Sequence, residues 1–120
     1  MNKPTLVLGA TTNPERTAYQ AIQRLHKYGH TVYAVGRKEG EVDGTPIQQT
    51  WPRITDIDTI TLYLNASNQQ VYYTDIINAH PKRVVFNPGT ENPELEDLLA
   101  QHHIEATEAC TLVLLTTGQY

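Results

Sequence analysis

The sequence predicts a small doubly wound α/β fold of about five parallel strands with flanking helices. The main observation is that short β-branched runs alternate with segments of helical spacing along all 120 residues. Each helical segment would return the chain to start the next strand in the same direction, which makes the pairing parallel. This length supplies one hydrophobic core and is too short for two. Residues 1–120 are therefore expected to form a single Rossmann-like domain.

The predicted strands are five segments rich in β-branched and aliphatic residues: Thr5 to Leu8, Thr31 to Val35, Thr59 to Leu64, Arg83 to Phe86 and Ile104 to Thr107. Three helices are predicted between them. The first ends at Gly29 and begins either at Asn13-Pro14 or at the capping-box pattern Thr17 to Gln20. The second spans Gln69 to Ala79, and the third spans Pro93 to His102 with Asn92 as its N-cap.

Two segments have no sustained period. Gly40 to Arg53 has two glycines and two prolines, so we expect an irregular excursion with Asp43-Gly44 as a turn. The tail "CTLVLLTTGQY" forms either a final strand or one or two helical turns. Its apolar part, Leu112 to Leu115, either completes the core or forms a surface for a homo-oligomer or a protein partner.

Composition excludes several classes of function. A net charge of −4 without clustered Lys and Arg argues against nucleic-acid binding, which depends on neutralising phosphates. No stretch approaches the roughly 20 apolar residues of a membrane helix, and "MNKPTLVLG" lacks the apolar run of a signal peptide, so we expect a cytoplasmic protein. The single cysteine, Cys110, permits neither an internal disulfide nor a multi-thiolate metal site, and no metal ligands are predicted.

The residues with catalytic potential do not converge. In open α/β sheets, ligands bind outside the carboxyl ends of the strands. The five histidines fall at the opposite edge, near helix C-termini: His26, His30, His80, His102 and His103. Cys110 follows the last strand on the ligand edge, but no histidine is predicted beside it. We therefore predict no catalytic residue.

The stretch "VLGATTNPERTAY", Val7 to Tyr19, is typical of a strand, a phosphate-binding loop and a helix. It has one glycine where a dinucleotide fingerprint has three, which argues against NAD or FAD. After the second strand, where NAD-binding proteins place an acidic residue, this chain has Gly36, Arg37 and Lys38. Two cations there favour a ligand with an extra ribose phosphate, such as NADP or coenzyme A (CoA). Arg16 adds a cation that can reach a pyrophosphate.

Five segments occur in the order of one known family: "LVLGATTNPERTAY", "LHKYGHTVYAVG", "EVDGTPI", "VVFNPGTEN" and "EACT". On these, the chain resembles the small stand-alone CoA-binding proteins, whose fold is that of the N-terminal CoA-binding domain of succinyl-CoA synthetase alpha chains. The resemblance spans nearly the whole sequence. Two departures are Ala34-Val35-Gly36-Arg37, where the family commonly has Pro-Val-Asn-Pro, and Asn87, where it often has Gln.

The resemblance implies a set of ligand contacts. The loop after the first strand would hold the pyrophosphate through Gly9, Ala10, Thr11 and Thr12, with Arg16 assisting. The loop after the second strand would face the ribose 3′-phosphate and adenosine through Gly36, Arg37 and Lys38. Two further loops would line the adenine and pantetheine side, through Ala66, Ser67, Asn68, Asn87, Pro88 and Gly89.

Three functional hypotheses follow. The first is non-catalytic binding of CoA or acyl-CoA, a small nucleotide ligand, with no nucleic-acid or membrane partner. The second is an enzyme, either an NADP-linked reductase or a CoA-thiol transferase that uses Cys110. The third is a degenerate fold that binds no nucleotide and acts through protein contacts.

Overall fold

The computed structural model describes residues 1–120 and contains one seven-stranded sheet. The strands are β1 (Thr5–Leu8), β2 (Val32–Val35), β3 (Gly40–Val42), β4 (Thr45–Gln48), β5 (Thr59–Leu62), β6 (Arg83–Phe86) and β7 (Glu105–Glu108). Their order is β3-β4-β2-β1-β5-β6-β7, and every neighbouring pair is parallel except β3 and β4. The predicted doubly wound α/β class is confirmed, and β1, β2, β5, β6 and β7 are the five predicted strands.

The prediction of an irregular excursion was wrong, because its first half is a β-hairpin. Strands β3 and β4 pair in antiparallel register around Asp43 and Gly44, whose φ angles are +51° and +84°. Two successive positive φ angles are the geometry of a type I′ turn, which matches the twist of the flanking strands. The hairpin adds to the β2 edge through β4, which raises the strand count from five to seven.

The helices are α1 (Thr17–Lys27), α2 (Ala66–Gln69), α3 (Tyr73–Ala79), α4 (Pro93–Gln101) and α5 (Thr111–Thr116), with a 3₁₀ turn between α2 and α3. The predicted N-cap of α4 is confirmed, since Asn92 Oδ1 accepts a hydrogen bond from the Leu95 N–H at 3.2 Å. The second helix starts three residues before its predicted start, and the 3₁₀ turn breaks it. None of these helices combines the length and hydropathy needed to cross a lipid bilayer.

Neither predicted cap of α1 is present. The helix begins at Thr17, so the N-cap position belongs to Arg16, whose side chain caps nothing. Asn13 instead closes a turn of its own, accepting the Glu15 N–H at its side-chain oxygen and the Arg16 N–H at its carbonyl. No side chain therefore accepts the first backbone N–H groups of α1.

The two faces of the sheet carry separate apolar clusters. Leu6 and Leu8 of β1 point to the face covered by α3 and α4, whereas Val7 points to the face covered by α1 and α5. Leu115 of α5 is buried in the second cluster, so the apolar tail contributes a helix to the core, while Val113 is exposed. The strands are thereby fixed, and their carboxyl ends meet at one edge.

Candidate functional site

A cavity of about 810 Å³ opens at the carboxyl edge of the sheet, beside the ends of β1 and β5. This is the position where the strand order reverses, since the chain proceeds outward from β1 through β2 and outward from β5 through β6. Thirteen residues line it: Gly9, Ala10, Thr11, Thr12, Arg16, Thr17, Ala18, Arg37, Lys38, Tyr63, Leu64, Asn65 and Asn68. Eight of these are predicted site residues, and the other five are Thr17, Ala18, Tyr63, Leu64 and Asn65.

Two glycines let three chain segments approach one another below the cavity. A Cβ atom on Gly9 would lie 2.9 Å from the carbonyl carbon and oxygen of Tyr63, and one on Gly36 would lie 2.3 Å from the Ala10 oxygen. Gly36 does not line the cavity. Its observed role is to admit the β1–α1 loop, because any side chain would collide with that loop's backbone.

Of the four predicted backbone donors, Thr11 and Thr12 are free, whereas Gly9 and Ala10 are already bonded. The N–H groups of Gly9 and Ala10 both donate to the Val35 carbonyl, at 2.9 and 3.0 Å, which ties the loop to the end of β2. The N–H groups of Thr11, Thr12, Thr17 and Ala18 have no acceptor within the protein. The donors available to an anion thus lie further along the loop and in the first turn of α1, at the positive end of its dipole.

Three cationic side chains face the same cavity without a partner. Arg16, Arg37 and Lys38 line it, and none makes a salt bridge or donates a side-chain hydrogen bond. The loop that carries Arg37 is itself held in place, since Gln49 Nε2 donates to the Arg37 carbonyl at 2.8 Å. These three charges and the α1 dipole give the cavity an attractive potential for anions in a protein of net charge −4.

The opposite side of the cavity is neutral. We call its four residues, Tyr63, Leu64, Asn65 and Asn68, the neutral wall. Asn65 Oδ1 caps α2 by accepting the Asn68 N–H at 3.0 Å. The side-chain amide of Asn68 and the Asn65 Nδ2 group make no bond within the protein, so both can serve a polar ligand. Ala66 and Ser67, predicted here, lie outside the lining, because the turn of α2 directs only Asn68 to the cavity.

Tyr63 is the aromatic residue of this wall, and its side chain is partly buried against the second apolar cluster. Its hydroxyl is buried and has no hydrogen-bond partner. Burial raises the pKa of Tyr63 to about 12, and the nearby hydroxyls of Thr61 and Thr111 offset this only in part. The two threonine hydroxyls bond to each other at 2.8 Å. Tyr63 is thus uncharged at neutral pH.

The loop after β6 does not reach the cavity. Asn87 is buried, donates to Thr61 Oγ1 at 2.7 Å and to the Leu62 carbonyl at 2.9 Å, and accepts the Thr111 N–H at 2.8 Å. Its amide therefore joins β5 to the start of α5. Pro88 and Gly89 are outside the lining, and the Gly89 N–H donates to the Glu91 carboxylate at 3.0 Å.

Cys110 and the histidines lie apart from the cavity. Cys110 occupies the N-cap position of α5, is partly exposed and is outside the lining. His26 bonds Asp43 and Thr45, both at 2.9 Å, and His30 accepts the Lys3 N–H at 2.9 Å. No group of three metal-ligating side chains occurs anywhere in the chain.

Solved structures with the same fold cover nearly all of the chain. A crystal structure described only as an uncharacterized protein is 49% identical, covers 100% of this chain and 99% of its own, and superposes with a TM-score of 0.97. A hypothetical protein from Pyrococcus horikoshii OT3 is 26% identical over 92% of this chain and 80% of its own, with a TM-score of 0.84.

A larger enzyme contains the same fold as one part. The dinucleotide-forming acetyl-coenzyme A synthetase 1 of Ca. Korarchaeum cryptofilum matches 90% of this chain with 26% of its own length, at 19% identity and a TM-score of 0.70. At this identity, the match shows the fold alone.

Comparison with curated protein sequences gives no significant match. The family comparison does: the model described as the CoA binding domain matches residues 3–116. The matched range includes the whole sheet, the loop after β1 and the cations after β2. With all but six of its 120 residues inside that match, the chain belongs to the CoA-binding domain family.

Proposed function

We propose that this protein binds CoA or acyl-CoA without catalysing a reaction, and that the cavity beside β1 and β5 is the site. The pyrophosphate would lie on the free N–H groups of Thr11, Thr12 and the first turn of α1, with Arg16 beside it. Arg37 and Lys38 would face the ribose 3′-phosphate. The neutral wall would take the uncharged part of the ligand.

One observation carries this proposal: four unbonded backbone donors and three unpaired cations surround a single cavity. Thr12 and Thr17 are exposed, but Thr11 is half-buried and Ala18 is buried, and N–H groups at such positions are normally satisfied. Their lack of an acceptor, beside three cations, favours a polyanionic occupant of the cavity. Membership of the CoA-binding domain family supports CoA over other polyanions.

The titratable groups of the cavity support a non-catalytic role. They are Arg16, Arg37, Lys38 and Tyr63. The guanidinium groups stay charged, and a tyrosine whose pKa is about 12 is a poor general base or acid near neutral pH. The set suits the binding of phosphates better than the transfer of protons.

Isothermal titration with CoA, dephospho-CoA and NADP tests the proposal. We expect CoA to bind about tenfold or more tightly than dephospho-CoA, because a charge-assisted contact to the 3′-phosphate is worth roughly 1.5–3 kcal/mol. The double variant Arg37→Ala, Lys38→Ala should bind the two ligands equally. Arg24→Ala, which removes a cation of α1 outside the cavity, should behave as wild type.

The three ligands separate the alternatives. Absence of CoA binding would contradict the proposed function. Equal affinity for CoA and dephospho-CoA would contradict the role of Arg37 and Lys38. Tighter binding of NADP than of CoA would favour the reductase hypothesis.

A further inference from the structure

The side chain of Gln69 is fully buried between two loops of the carboxyl edge. Its Nε2 group donates to the Leu64 carbonyl and to the Thr90 carbonyl, both at 2.8 Å. Its Oε1 atom accepts from Asn92 Nδ2 at 2.9 Å. Burial of a side-chain amide costs free energy unless its polar atoms are hydrogen-bonded. Both Nε2 protons of Gln69 are donated to carbonyl groups.

These bonds connect the neutral wall to the start of α4. Leu64 belongs to the wall, and Thr90 and Asn92 belong to the loop between β6 and α4. Asn92 is fixed in turn, because it caps α4 at the Leu95 N–H and donates to the Tyr73 hydroxyl at 2.8 Å. The loop after β6, which does not touch the cavity, thus holds the segment that does.

The cationic side of the cavity is held by a different set of contacts. There, Gly9 and Ala10 donate to the Val35 carbonyl, and Gly36 packs against Ala10. Gln69 makes no bond to that side. The two sides touch where Gly9 packs against the Tyr63 carbonyl, but the hydrogen bonds that fix each side are separate, so a change at Gln69 removes no bond of the cationic side.

We infer that Gln69 is a positioning residue, which sets the place of the neutral wall and so controls affinity for the uncharged part of the ligand but not for its phosphates. The inference rests on the proposed function, because it assigns the wall to the part of CoA beyond the pyrophosphate. Leu64 accepts one of the Gln69 hydrogen bonds, so its position depends directly on Gln69. Its neighbour Asn65 is the N-cap of α2, so a displacement of Leu64 would also displace the start of that helix.

The test is titration of Gln69→Leu with CoA and with inorganic pyrophosphate. We expect CoA to bind roughly tenfold more weakly than to wild type, because the bonds to the partly buried Leu64 carbonyl and the buried Thr90 carbonyl are lost, while pyrophosphate affinity changes less than about twofold. Leu99→Ala, a core truncation in α4 away from these bonds, is the control for lost stability and should leave both affinities unchanged. Equal weakening of both ligands, or of neither, by Gln69→Leu would overturn the inference.

A second variant guards against a failure of Gln69→Leu to fold. Gln69→Glu keeps the shape and offers one O–H donor when protonated and none when ionised, and burial raises the pKa of such a carboxyl. Relative to wild type at each pH, its CoA affinity should improve as the pH falls. If the ratio of the variant's CoA affinity to that of wild type did not change with pH, positioning by hydrogen bonds would be contradicted.

Backbone amide shifts of the ligand-free protein separate this inference from the proposed function. Gln69→Leu should shift the amides of residues 63–68 and leave those of Thr11 and Thr12, the free donors of the loop after β1, in place. If wild type fails to bind CoA, the proposed function falls, and the shifts still decide whether Gln69 positions the wall. Unchanged shifts at residues 63–68 would overturn the inference.

Discussion

The hydroxyl of Tyr63 is buried beside the cavity and has no hydrogen-bond partner. An unpaired buried hydroxyl loses its bonds to water on folding and gains nothing in return. We therefore expect Tyr63→Phe to change the free energy of unfolding by less than about 0.5 kcal/mol, or to raise it slightly. Urea unfolding measures this. A loss of more than about 1 kcal/mol would mean that the hydroxyl is bonded in solution, to Thr61 or Thr111.

Glycine is required at position 36 because neighbouring atoms leave no room for a side chain, and not because its φ angle is positive. Because a Cβ atom there would lie 2.3 Å from the Ala10 oxygen, Gly36→Ala should cost about 1–3 kcal/mol of stability and displace the phosphate-binding loop. The variant should also weaken CoA binding, measured by titration at a temperature where it is folded. Gly44→Asn, in a turn with open space around it, is the matched control and should keep wild-type affinity.

The sequence pointed to individual site residues where their chemistry was decisive and their loop was clear. Arg16, Arg37, Lys38 and Asn68 all line the cavity, because each lies in the segment that directly follows a parallel strand at its carboxyl end. The backbone donors could not be assigned in this way. Whether the Gly9 N–H is free depends on the Val35 carbonyl, 26 positions away along the chain, and that contact has no local signature.

At the scale of elements, α1 begins without a cap. Its N-cap residue Arg16 makes no side-chain bond, and no acidic residue lies in the first turn. Arg16→Asp should supply both a cap and a favourable charge, raising the stability of the free protein by about 1 kcal/mol. It should also weaken CoA binding by at least about tenfold, because it exchanges a cation for an anion beside the phosphates.

A comparison with Arg16→Ala shows whether the added cap causes the gain in stability and whether the lost cation causes the loss of CoA affinity. That variant removes the cation without adding a cap, so it should lose affinity and gain no stability. Thermal unfolding and titration of both variants suffice. A gain in stability for Arg16→Ala as well would show that the arginine itself strains the loop, and unchanged CoA affinity in both would place the phosphates elsewhere.

Strands that are buried over most of their length were predicted well, and the half-exposed edge hairpin was not. Strand β6 has the predicted bounds Arg83–Phe86. The hairpin was missed although its turn was recognised, because strands of three and four residues place only one or two side chains on the buried face. The sequence does not decide between a strand and helix α5 for the tail, because the first N–H of this helix donates to Asn87, a contact between distant parts of the chain.

At the scale of the whole molecule, the two edges of the sheet differ in how they are closed. The carboxyl edge is open at the cavity. At the amino edge, the ring of Tyr120 lies 4.4 Å from the Arg83 guanidinium and 4.9 Å from the His30 ring, and its hydroxyl bonds Thr5 at 2.5 Å. Burial, followed by nearby positive charges, lowers the pKa of His30, consistent with a neutral ring that accepts the Lys3 N–H.

Two partly buried tyrosines, Tyr63 and Tyr120, make stability sensitive to alkaline pH. Burial raises the pKa of Tyr120, and it raises the pKa of Tyr63 to about 12, whereas both ionise near 10 in the unfolded chain. Between these values the native state binds more protons than the unfolded state, so stability is complete below about pH 10 and falls as the pH rises through the native pKa values. Tyr63 alone should account for about 2–3 kcal/mol, from a shift of roughly two units. Urea unfolding between about pH 8 and pH 11.5 measures the slope, and Tyr63→Phe should flatten it; equal slopes for the two proteins would show that the Tyr63 hydroxyl is already exposed to water.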